Sequence, residues 1–403
     1  MKVVVLASRI PYPLEKGDKL RLFHLLRELG QDHEVVLCCL GTGPLTEEQR
    51  RALTPMVKDI HLIRLSKLRR WFRMAWAWTS DLPFQVVWFT ERRAQREVRA
   101  LLENTSPDMV YCQLVRCAEY VKDIHHLPKV LDYMDALSAG MHRRAQSDSN
   151  GWLRPLRWLF RSEGTRLARY ESRVFDYFDA HTIISRNDRL LIPHRDRDHI
   201  ELVPNGVDLS AFSPAAAASS AAPVLLFTGN MSYAPNVDAA QHLVKDILPR
   251  IQHPNVRVVL AGANPKPSIK ALAGDRVTVT GWVDDIAQEY REAALFVAPL
   301  RIGTGLQNKV LEAMASELPC VLSPHAFAPL NLPSAGHAAV CHDAEEFAAT
   351  VDELLAAPDQ AQSMARAARG VIQTSFAWKT HATTLTNLLS RVVASPSNPV
   401  SRN

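Results

Sequence analysis

The chain has 403 residues, of which 47% are hydrophobic and 22% charged, and it carries a formal net charge of +5. This length predicts at least two domains with their own cores, and the composition excludes a disordered or fibrous protein. The basic residues are scattered and form no recognised readout motif, which argues against a nucleic-acid partner.

Compartment signals in the sequence indicate a cytoplasmic protein. Residues 1–13 are interrupted too soon to form the apolar region of a secretory signal, and no apolar run reaches the roughly 18 residues that span a bilayer. The six cysteines are sparse and never spaced as CxxC, so we expect neither disulfides nor a zinc site. The DxD pattern at residues 196–198 lies in a charge run, and the histidines lack paired spacing, so we expect no metal site.

Strand-like runs alternate with helical patterns along the first half of the chain, which favours βαβ units and a parallel sheet. These runs occupy residues 2–8, 33–40, 59–65, 108–113, 129–134 and 180–185. Residues 213–223 carry no large side chain and no charge, so they predict a linker. The alternation then restarts, with runs at residues 223–230, 255–262, 275–282, 294–300 and 318–324. We predict domains at residues 1–212 and 224–375, and a C-terminal helix and tail at residues 376–403 that can cross back to the first domain.

One segment, residues 64–78, combines cations with large apolar side chains. At helical spacing, one face carries Leu65, Leu68, Phe72 and Trp76, and much of the other carries Lys67, Arg69, Arg70 and Arg73. A helix that lies on an anionic membrane surface has this pattern. The alternative is a cationic surface helix whose apolar side packs on its own domain.

Two loops of the first half follow predicted strands and carry candidate site residues. Gly17 and Asp18 open a helical pattern, in which Asp18 is a candidate N-cap and Gly17 would let an anionic ligand approach the helix N-terminus. The alternative is a tight connection, since neither a GxGxxG nor a Walker pattern is present. Further on, Asp135 and His142 could reach a substrate, the alternatives being an N-capping Asp and an exposed His.

The most informative stretch is residues 301–321, where a Gly-rich turn precedes an amphipathic helix. The helix is expected to bury Leu306, Val310, Leu311 and Met314. Lys309 then lies near the helix N-terminus, where backbone amides, the helix dipole and an ammonium together suit a diphosphate. Glu312, one turn onward, can accept hydrogen bonds from two ribose hydroxyls. The alternative is a solvated i, i+3 ion pair.

The chain contains, in this order, an N-terminal Pro/Gly loop, VPNGVDLSAF, LLFTGNMSYAPNVDAAQHL, VTGWVDDI, FVAPLRIGTGLQNKVLEAMA and a closing FAW. Together these motifs resemble those of family 4 glycosyltransferases of the GT-B fold over nearly the whole chain. The string PLRIGTGLQNKVLEAMA is most similar to a subgroup found with exopolysaccharide genes in PEP-CTERM/exosortase systems. The resemblance implies an α/β fold with two Rossmann-like domains whose parallel sheets face across a cleft. The second domain would bind a nucleotide sugar, and the first would bind the acceptor.

The resemblance also assigns roles to individual residues. Glu312 would bind the ribose hydroxyls, and Lys309 would bind the diphosphate. The remaining positions implied for donor binding are Gly17, Gly229, Asn230, Gly281, Trp282, Val283, Gly303 and Gly305. The sequence departs from the family pattern at Thr304. The family usually has two Glu residues here, and Thr304 stands at the position of the first, which contacts the donor sugar.

The activity implied by the resemblance is transfer of a sugar from a UDP- or GDP-linked donor to a lipid-linked or polysaccharide acceptor. Lys309, Arg301 and the helix N-terminus would stabilise the leaving diphosphate, with retention of configuration and without a metal or other cofactor. We expect a role in exopolysaccharide biosynthesis and a peripheral position on the inner face of the cytoplasmic membrane. The alternatives are a sugar-nucleotide epimerase and, because of Thr304, a non-catalytic protein that binds nucleotide sugars.

Overall fold

Runs of aliphatic residues form two parallel sheets in the computed structural model, which describes residues 1–146, 157–214, 222–302, 306–333 and 336–394. The first sheet has seven strands in the order β3-β2-β1-β4-β5-β6-β7. These are β1 (Lys2–Ala7), β2 (Glu34–Gly41), β3 (Asp59–Arg64), β4 (Met109–Gln113), β5 (Lys129–Met134), β6 (Ala180–Ile183) and β7 (Glu201–Leu202). All neighbouring pairs are parallel, and the central strands are buried along most of their length, as expected when both faces of a sheet are covered.

The second sheet has six strands in the order β10-β9-β8-β11-β12-β13, and its neighbouring pairs are also parallel. Its strands are β8 (Val224–Thr228), β9 (Arg257–Ala261), β10 (Val277–Gly281), β11 (Leu295–Ala298), β12 (Cys320–Leu322) and β13 (Ala339–Val340). The eleven runs predicted from sequence are all strands. The sequence analysis missed β7 and β13, because two residues carry too little periodicity to be recognised.

Helices connect the strands of both sheets. In the first half they are α1 (Gly17–Asp32), α2 (Glu47–Leu53), α3 (Lys67–Ala77), α4 (Phe84–Phe89), α5 (Arg92–Thr105), α6 (Leu137–Gln146), α7 (Arg157–Phe175) and α8 (Arg186–Leu191). In the second half they are α9 (Ala234–His242), α10 (Pro267–Lys270), α11 (Ile286–Glu292), α12 (Asn308–Ala315), α13 (Pro324–Phe327), α14 (Ala344–Ala356), α15 (Pro358–Ser375) and α16 (Trp378–Ala394). None of the helices within the described ranges combines the length and apolar character needed to cross a bilayer.

The described residues form two compact units. The first contains those of Met1–Pro204 and those from His381 onward, and the second is Asn205–Thr380. Residues 215–221 of the predicted linker lie outside the described part of the chain. In each sheet the strand order reverses beside the first strand, between β1 and β4 and between β8 and β11. Ligands of open α/β sheets bind at the carboxyl ends of the strands beside such a reversal.

The start of α1 differs from the sequence prediction. The helix begins at Gly17 with Lys16 as N-cap, so the prediction of Asp18 as N-cap is wrong. Asp18 lies in the first turn and pairs with Arg9, with 3.2 Å between Oδ2 and Nε. A carboxylate in the first turn complements the helix dipole without serving as a cap.

Helix α7 binds the ends of three other helices in the first unit. Glu163 accepts hydrogen bonds from the first two amides of α4, at 2.8 and 3.0 Å. Glu171 accepts from the amide of Ser138 near the start of α6 at 3.1 Å, and Arg166 donates to the carbonyl of Ala77, the last residue of α3, at 2.8 Å. These contacts satisfy helix-terminal groups that lack intrahelical partners.

Helix α3 lies with its apolar side outward. The exposed side chains of this helix include Leu68, Phe72 and Trp76, whereas Leu65 precedes the helix and is buried. Arg70 faces inward, where its Nε donates to the Trp88 carbonyl at 2.8 Å and its guanidinium carbon lies 4.4 Å from the Trp88 ring centroid. The interpretation that the apolar side packs on its own domain is therefore wrong, because a stacked and hydrogen-bonded arginine occupies the inner side.

Candidate functional site

The second unit carries a buried lysine at the first turn of α12. Lys309 is 9% exposed, and its ammonium donates to Asn236 Oδ1 on α9. The Nζ atom also lies 4.6 Å from the centroid of the Phe227 ring in β8. Burial lowers the pKa of Lys309 to about 7, and the charge of Glu312 opposes this change. The site thus holds an ammonium that lacks full hydration and would gain from an anionic ligand.

Glu312 lies one turn further along α12 and is held by a chain of hydroxyl groups. Tyr290 on α11 donates to Glu312 Oε2 at 2.9 Å, and its hydroxyl oxygen lies 2.6 Å from Thr228 Oγ1 at the end of β8. Because Tyr290 has one hydroxyl proton, it accepts the hydrogen bond from Thr228. Burial raises the pKa of Glu312, and both the Tyr290 hydrogen bond and the Lys309 charge limit the rise. One carboxylate oxygen is therefore oriented by the protein.

These contacts exclude a solvated ion pair as the role of the two residues. Lys309 is buried and hydrogen-bonds Asn236, while Glu312 is half-buried and hydrogen-bonds Tyr290. The predicted inward face of α12 is confirmed for Val310, Leu311 and Met314, and Leu306 precedes the helix and is partly buried. Both functional side chains thus lie on the side of α12 that faces the end of β8.

Glycines end three adjacent strands beside this cluster. Gly229 follows β8 with φ +146°, and a Cβ there would lie 2.6 Å from Asn236 Nδ2 and 3.1 Å from Lys309 Nζ. Gly262 follows β9 with φ +139°, and a Cβ there would collide with the Gly229 carbonyl. The Gly262 amide donates at 3.0 Å to the carbonyl of Gly281, which ends β10 with φ +72°. Only glycine combines the backbone angles of Gly229 and Gly262 with such close packing, whereas Gly281 has a positive φ but open space at its Cβ position.

The other predicted residues of these strand ends are partly accessible. Asn230 is exposed, and its Oδ1 accepts from the Ser232 amide at 2.9 Å, which orders the turn before α9. Trp282 is 56% exposed, and its indole Nε1 donates to Asp284 Oδ1 at 3.2 Å. Val283 is half-buried. An exposed indole at this position offers a flat surface on which a nucleobase can stack.

Arg301 follows β11 and is engaged by another side chain. Its Nε and Nη2 donate to Asp238 Oδ2 and Oδ1 at 3.0 and 2.6 Å, and this pairing raises the pKa of Arg301. The guanidinium is thus oriented by α9 rather than by α12. The predicted residues Gly303, Thr304 and Gly305 lie outside the described residues.

In the first unit, Asp135 lies directly after β5. The proposed alternative of an N-capping Asp is wrong, because α6 begins at Leu137 and Glu171 binds its first turn. Asp135 Oδ1 is buried and has no hydrogen-bond partner within the described part of the chain. Burial and, less strongly, the charge of Asp188 raise the pKa of Asp135 to about 6, while Arg116 lowers it.

The other two candidates of the first unit are His142 and Gly17, which differ in how closely they are packed. The ring of His142 on α6 packs against Gly164 of α7, where a Cβ would lie 2.9 Å from ring atoms, so this histidine is not the freely exposed residue of the alternative. Gly17 is exposed, and a Cβ there would meet only Met134 Cε at 3.4 Å, an ordinary contact. The backbone of Gly17 therefore does not itself require glycine.

Several residues of the Lys309 cluster were not recognised in the sequence. They are Phe227, Thr228, Asn236, Gly262 and Tyr290. Phe227, Thr228 and Asn236 lie inside the string LLFTGNMSYAPNVDAAQHL, which carried part of the family resemblance, but their types alone indicate no role. Tyr290 had no signal at all, since an aromatic residue on an amphipathic helix is ordinarily a core residue.

The charged and thiol side chains of the described residues do not form a metal-binding site. Among the described residues, no group of three or more His, Cys, Asp or Glu side chains is placed to hold a metal ion. The DxD-like residues 196–198 lie in and beside a short 3-10 turn, with Asp196 paired to Arg195 at 3.3 Å. All six cysteines are buried and free.

A parallel sheet whose strand ends carry a buried cation, a carboxylate and two close-packed glycines belongs to the α/β class in which ligands bind at the carboxyl ends of the strands. Residues 222–357, which lie within the second unit, match the family described as glycosyl transferases group 1. This match includes Gly229, Tyr290, Lys309 and Glu312. No curated protein matches the sequence significantly.

Solved glycosyltransferase structures match the chain over nearly its full length. Sucrose-phosphate synthase from Thermosynechococcus elongatus has a TM-score of 0.71 at 17% identity, covering 98% of this chain and 100% of the other. Anabaena HepE in complex with UDP has a TM-score of 0.68 at 15% identity, covering 97% and 100%. WaaG, a glycosyltransferase involved in lipopolysaccharide biosynthesis, has a TM-score of 0.63 at 14% identity, covering 96% and 99%. The predicted fold class, an α/β chain with two Rossmann-like parallel sheets of the GT-B type, is confirmed.

Proposed function

We propose that this protein is a glycosyltransferase that moves a sugar from a nucleoside diphosphate donor to a lipid-linked or polysaccharide acceptor. The observation that carries the proposal is the Lys309 and Glu312 cluster inside the matched family domain. A UDP-linked sugar is the favoured donor, because HepE structures contain UDP and UDP-glucose, and GDP remains the second choice. We extend the proposal to retention, to exopolysaccharide biosynthesis in a PEP-CTERM setting and to action at the inner face of the cytoplasmic membrane.

Each group of the cluster has a role that follows from its chemistry. Glu312, oriented by Tyr290, accepts hydrogen bonds from the ribose hydroxyls, and Lys309 neutralises the diphosphate. Gly229 and Asn230, together with Gly303 and Gly305, offer backbone close to the phosphates or the sugar. Gly281, Trp282 and Val283 flank the nucleobase. Arg301 adds a cation to the leaving group if it exchanges Asp238 for a phosphate oxygen.

The proposed reaction needs no protein nucleophile. The bond between the anomeric carbon and the diphosphate oxygen breaks as the acceptor oxygen bonds to the same face of that carbon. The acceptor proton passes to the leaving diphosphate oxygen. Lys309 and the N-terminal amides of α12 stabilise the negative charge that develops there, which is a metal-independent solution. Asp135, His142 and Gly17 are proposed to face the acceptor or the donor sugar, where the unpartnered Asp135 oxygen can accept from a hydroxyl.

The test is release of nucleoside diphosphate from a panel of UDP- and GDP-sugars by the full-length protein, with and without membrane extract as a source of acceptor. We expect one donor to be consumed faster with acceptor. Glu312→Gln should weaken binding of that donor by roughly tenfold to a hundredfold, because a charged acceptor of two hydrogen bonds is lost. The same substitution should matter little for the 2′,3′-dideoxy analogue of its nucleotide. Lys245→Ala and Glu345→Gln, both exposed, are matched controls.

The same assay separates the alternatives. An epimerase would convert the donor into an isomeric nucleotide sugar without acceptor and without free diphosphate. A binding protein would hold the donor without turnover. Thr304→Glu, screened against the panel, tests whether position 304 faces the sugar, and an unchanged donor preference would argue that it does not.

A further inference from the structure

Helix α3 and its surroundings present a large apolar surface to solvent. We call this the α3 surface, and its most exposed members are Leu68 (68%), Trp71 (68%), Phe72 (68%), Trp76 (56%), Trp78 (52%) and, on α7, Trp158 (57%). The rings of Trp78 and Trp158 lie 5.6 Å apart between centroids, so the two helices contribute to one patch. Contiguous exposed patches of this kind mark interaction sites, whereas scattered apolar residues do not.

The outward orientation of α3 is fixed by specific contacts on its inner side. Arg70 is 8% exposed and stacks on Trp88, and Ala77 is fully buried. Arg69 pairs with the buried carboxylate of Glu91 at 3.0 Å, and Glu91 also accepts from the amide of Ser66 at the N-cap at 3.0 Å. The last turn is bound by α7, as described above. Turning the helix to bury its tryptophans would break all of these contacts.

The charges around the α3 surface select the chemistry of its partner. At about 100° per residue, Lys67 and Arg69 lie on opposite edges of the face centred on Leu68, so cations border the aromatic residues on both sides. The helix, KLRRWFRMAWA, contains no acidic residue. Arg161, also exposed, lies one turn from Trp158 on α7, and the next exposed carboxylate in the chain after α3 is Asp81 in the following loop.

We propose that the α3 surface docks this protein onto an anionic lipid bilayer by inserting its aromatic face at the boundary between headgroups and acyl chains. Tryptophan and phenylalanine suit that boundary, and the bordering cations reach lipid phosphates. The apolar face supplies most of the binding, because Arg70 is buried and Arg69 is already paired. The inference rests on the proposed function, since a lipid-linked acceptor is presented at such a surface.

The test is co-sedimentation of the full-length protein with vesicles of phosphatidylglycerol and phosphatidylcholine, and with phosphatidylcholine alone. The Trp71→Ala/Phe72→Ala/Trp76→Ala variant should lose at least about tenfold in binding to both, since each exposed ring contributes apolar area on insertion. Lys67→Gln/Arg69→Gln should lose mainly the preference for phosphatidylglycerol. Leu190→Ser/Leu191→Ser, at exposed apolar positions on α8, is the matched control and should bind as wild type.

Unchanged binding of the aromatic variant would overturn the proposal. So would a wild-type protein that ignores vesicles but forms a dimer, measured by light scattering, that the aromatic variant abolishes. Because that variant could fold poorly, quenching of wild-type tryptophan fluorescence by brominated phosphatidylcholine provides a second measurement, and no quenching also overturns the proposal. UDP-glucose binding by the same proteins separates the two claims: wild-type vesicle binding without donor binding would reject the proposed function and leave the docking surface standing.

Discussion

Lys309 illustrates how burial prepares a residue for a ligand. Its ammonium is buried beside Phe227 and donates to Asn236, and burial lowers its pKa to about 7 from an ordinary value of 10.5. A desolvated ammonium lowers the free energy of unfolding of the ligand-free protein at neutral pH, and this loss becomes smaller as pH rises from 7 toward 10.5. A bound diphosphate raises the pKa of Lys309, because its negative charge favours the charged form of the ammonium.

Donor binding should therefore take up protons above neutral pH. At pH 8 Lys309 is mostly neutral in the free protein, and the diphosphate raises its pKa, so we expect uptake of up to about one proton per UDP-glucose bound. Calorimetric titrations in HEPES and in Tris measure this uptake, and affinity should increase as pH falls from 9 to 7. Lys309→Arg, whose side chain stays charged, is the control and should show no uptake. Binding without proton uptake in the wild type would contradict the assignment.

At the scale of elements, the site depends on how closely strand ends and helices approach one another. Gly229 lets α9 and α12 converge behind β8, and Gly262 lets the neighbouring strand end pack on Gly229. In the first unit, α7 plays the corresponding structural role by binding the ends of α3, α4 and α6. Side chains far apart in sequence thus decide the positions of these helices.

Gly229→Ala should damage both stability and donor binding. The new Cβ would press on Asn236 and Lys309, and φ +146° is unfavourable for alanine, so we expect a loss of roughly 1–3 kcal/mol in the free energy of unfolding. Urea denaturation and UDP titration measure the two effects. Gly274→Ala, where a Cβ meets nothing within 4 Å, is the matched control and should change neither.

Glu171 makes the stability of the first unit depend on pH. Burial raises the pKa of Glu171 to about 7, opposed by hydrogen bonds from Ser138, while the unfolded chain has the ordinary value near 4.5. The folded state therefore binds the proton more tightly, and the associated stability is present below pH 4.5 and lost as pH rises through 7. The raised pKa of Asp135 makes stability depend on pH in the same direction.

The contribution of Glu171 to the free energy of unfolding is expected to fall between pH 5 and 8 by on the order of 1–3 kcal/mol, while His381 and Lys309, whose pKa values burial lowers, contribute in the opposite direction. Glu171→Gln should flatten this dependence, because the amide does not titrate and can still accept from the Ser138 amide. Urea denaturation followed by tryptophan fluorescence across that range measures it, with Glu345→Gln as an exposed control. Parallel pH profiles of the wild type and Glu171→Gln would show that the carboxylate titrates normally.

At the scale of the whole molecule, the two units carry different properties. Residues 1–212 contain 33 Lys and Arg against 27 Asp and Glu, and the remainder contains 14 against 15. The Lys309 cluster is built entirely from the second unit, whereas the α3 surface belongs to the first. The proposed donor site and the proposed docking surface thus belong to different units.

Hydrogen exchange should reveal this separation. UDP is expected to slow exchange of amides in the loop after β8 and in α12, because ligand binding suppresses local opening there. Amides of α3 should be unaffected by UDP and slowed by phosphatidylglycerol vesicles instead. Mass spectrometry of peptides from residues 224–242 and 306–320 against residues 64–78 makes the comparison. Protection of α3 by UDP alone would contradict the separation.

The amino-acid pattern is sufficient to predict the sheets and part of the site. Continuous aliphatic runs predict parallel strands because strands buried on both faces need apolar side chains throughout, as in residues 2–8. Lys309 and Glu312 are three residues apart on one helix, so helical geometry places them on neighbouring turns wherever the helix lies. The two-residue strands β7 and β13 escaped prediction, since their existence depends on the neighbours they pair with.

The partners and surroundings of these residues depend on long-range contacts in the folded chain. Asn236 is 73 residues from its partner Lys309 in the sequence, and Tyr290 is 22 residues from its partner Glu312. No local pattern encodes such contacts. The periodicity of α3 defines two faces but not which one points inward, and the stacking of Arg70 on Trp88 decided that. Local periodicity follows from backbone geometry, whereas burial, pKa and orientation follow from what the rest of the chain brings into contact.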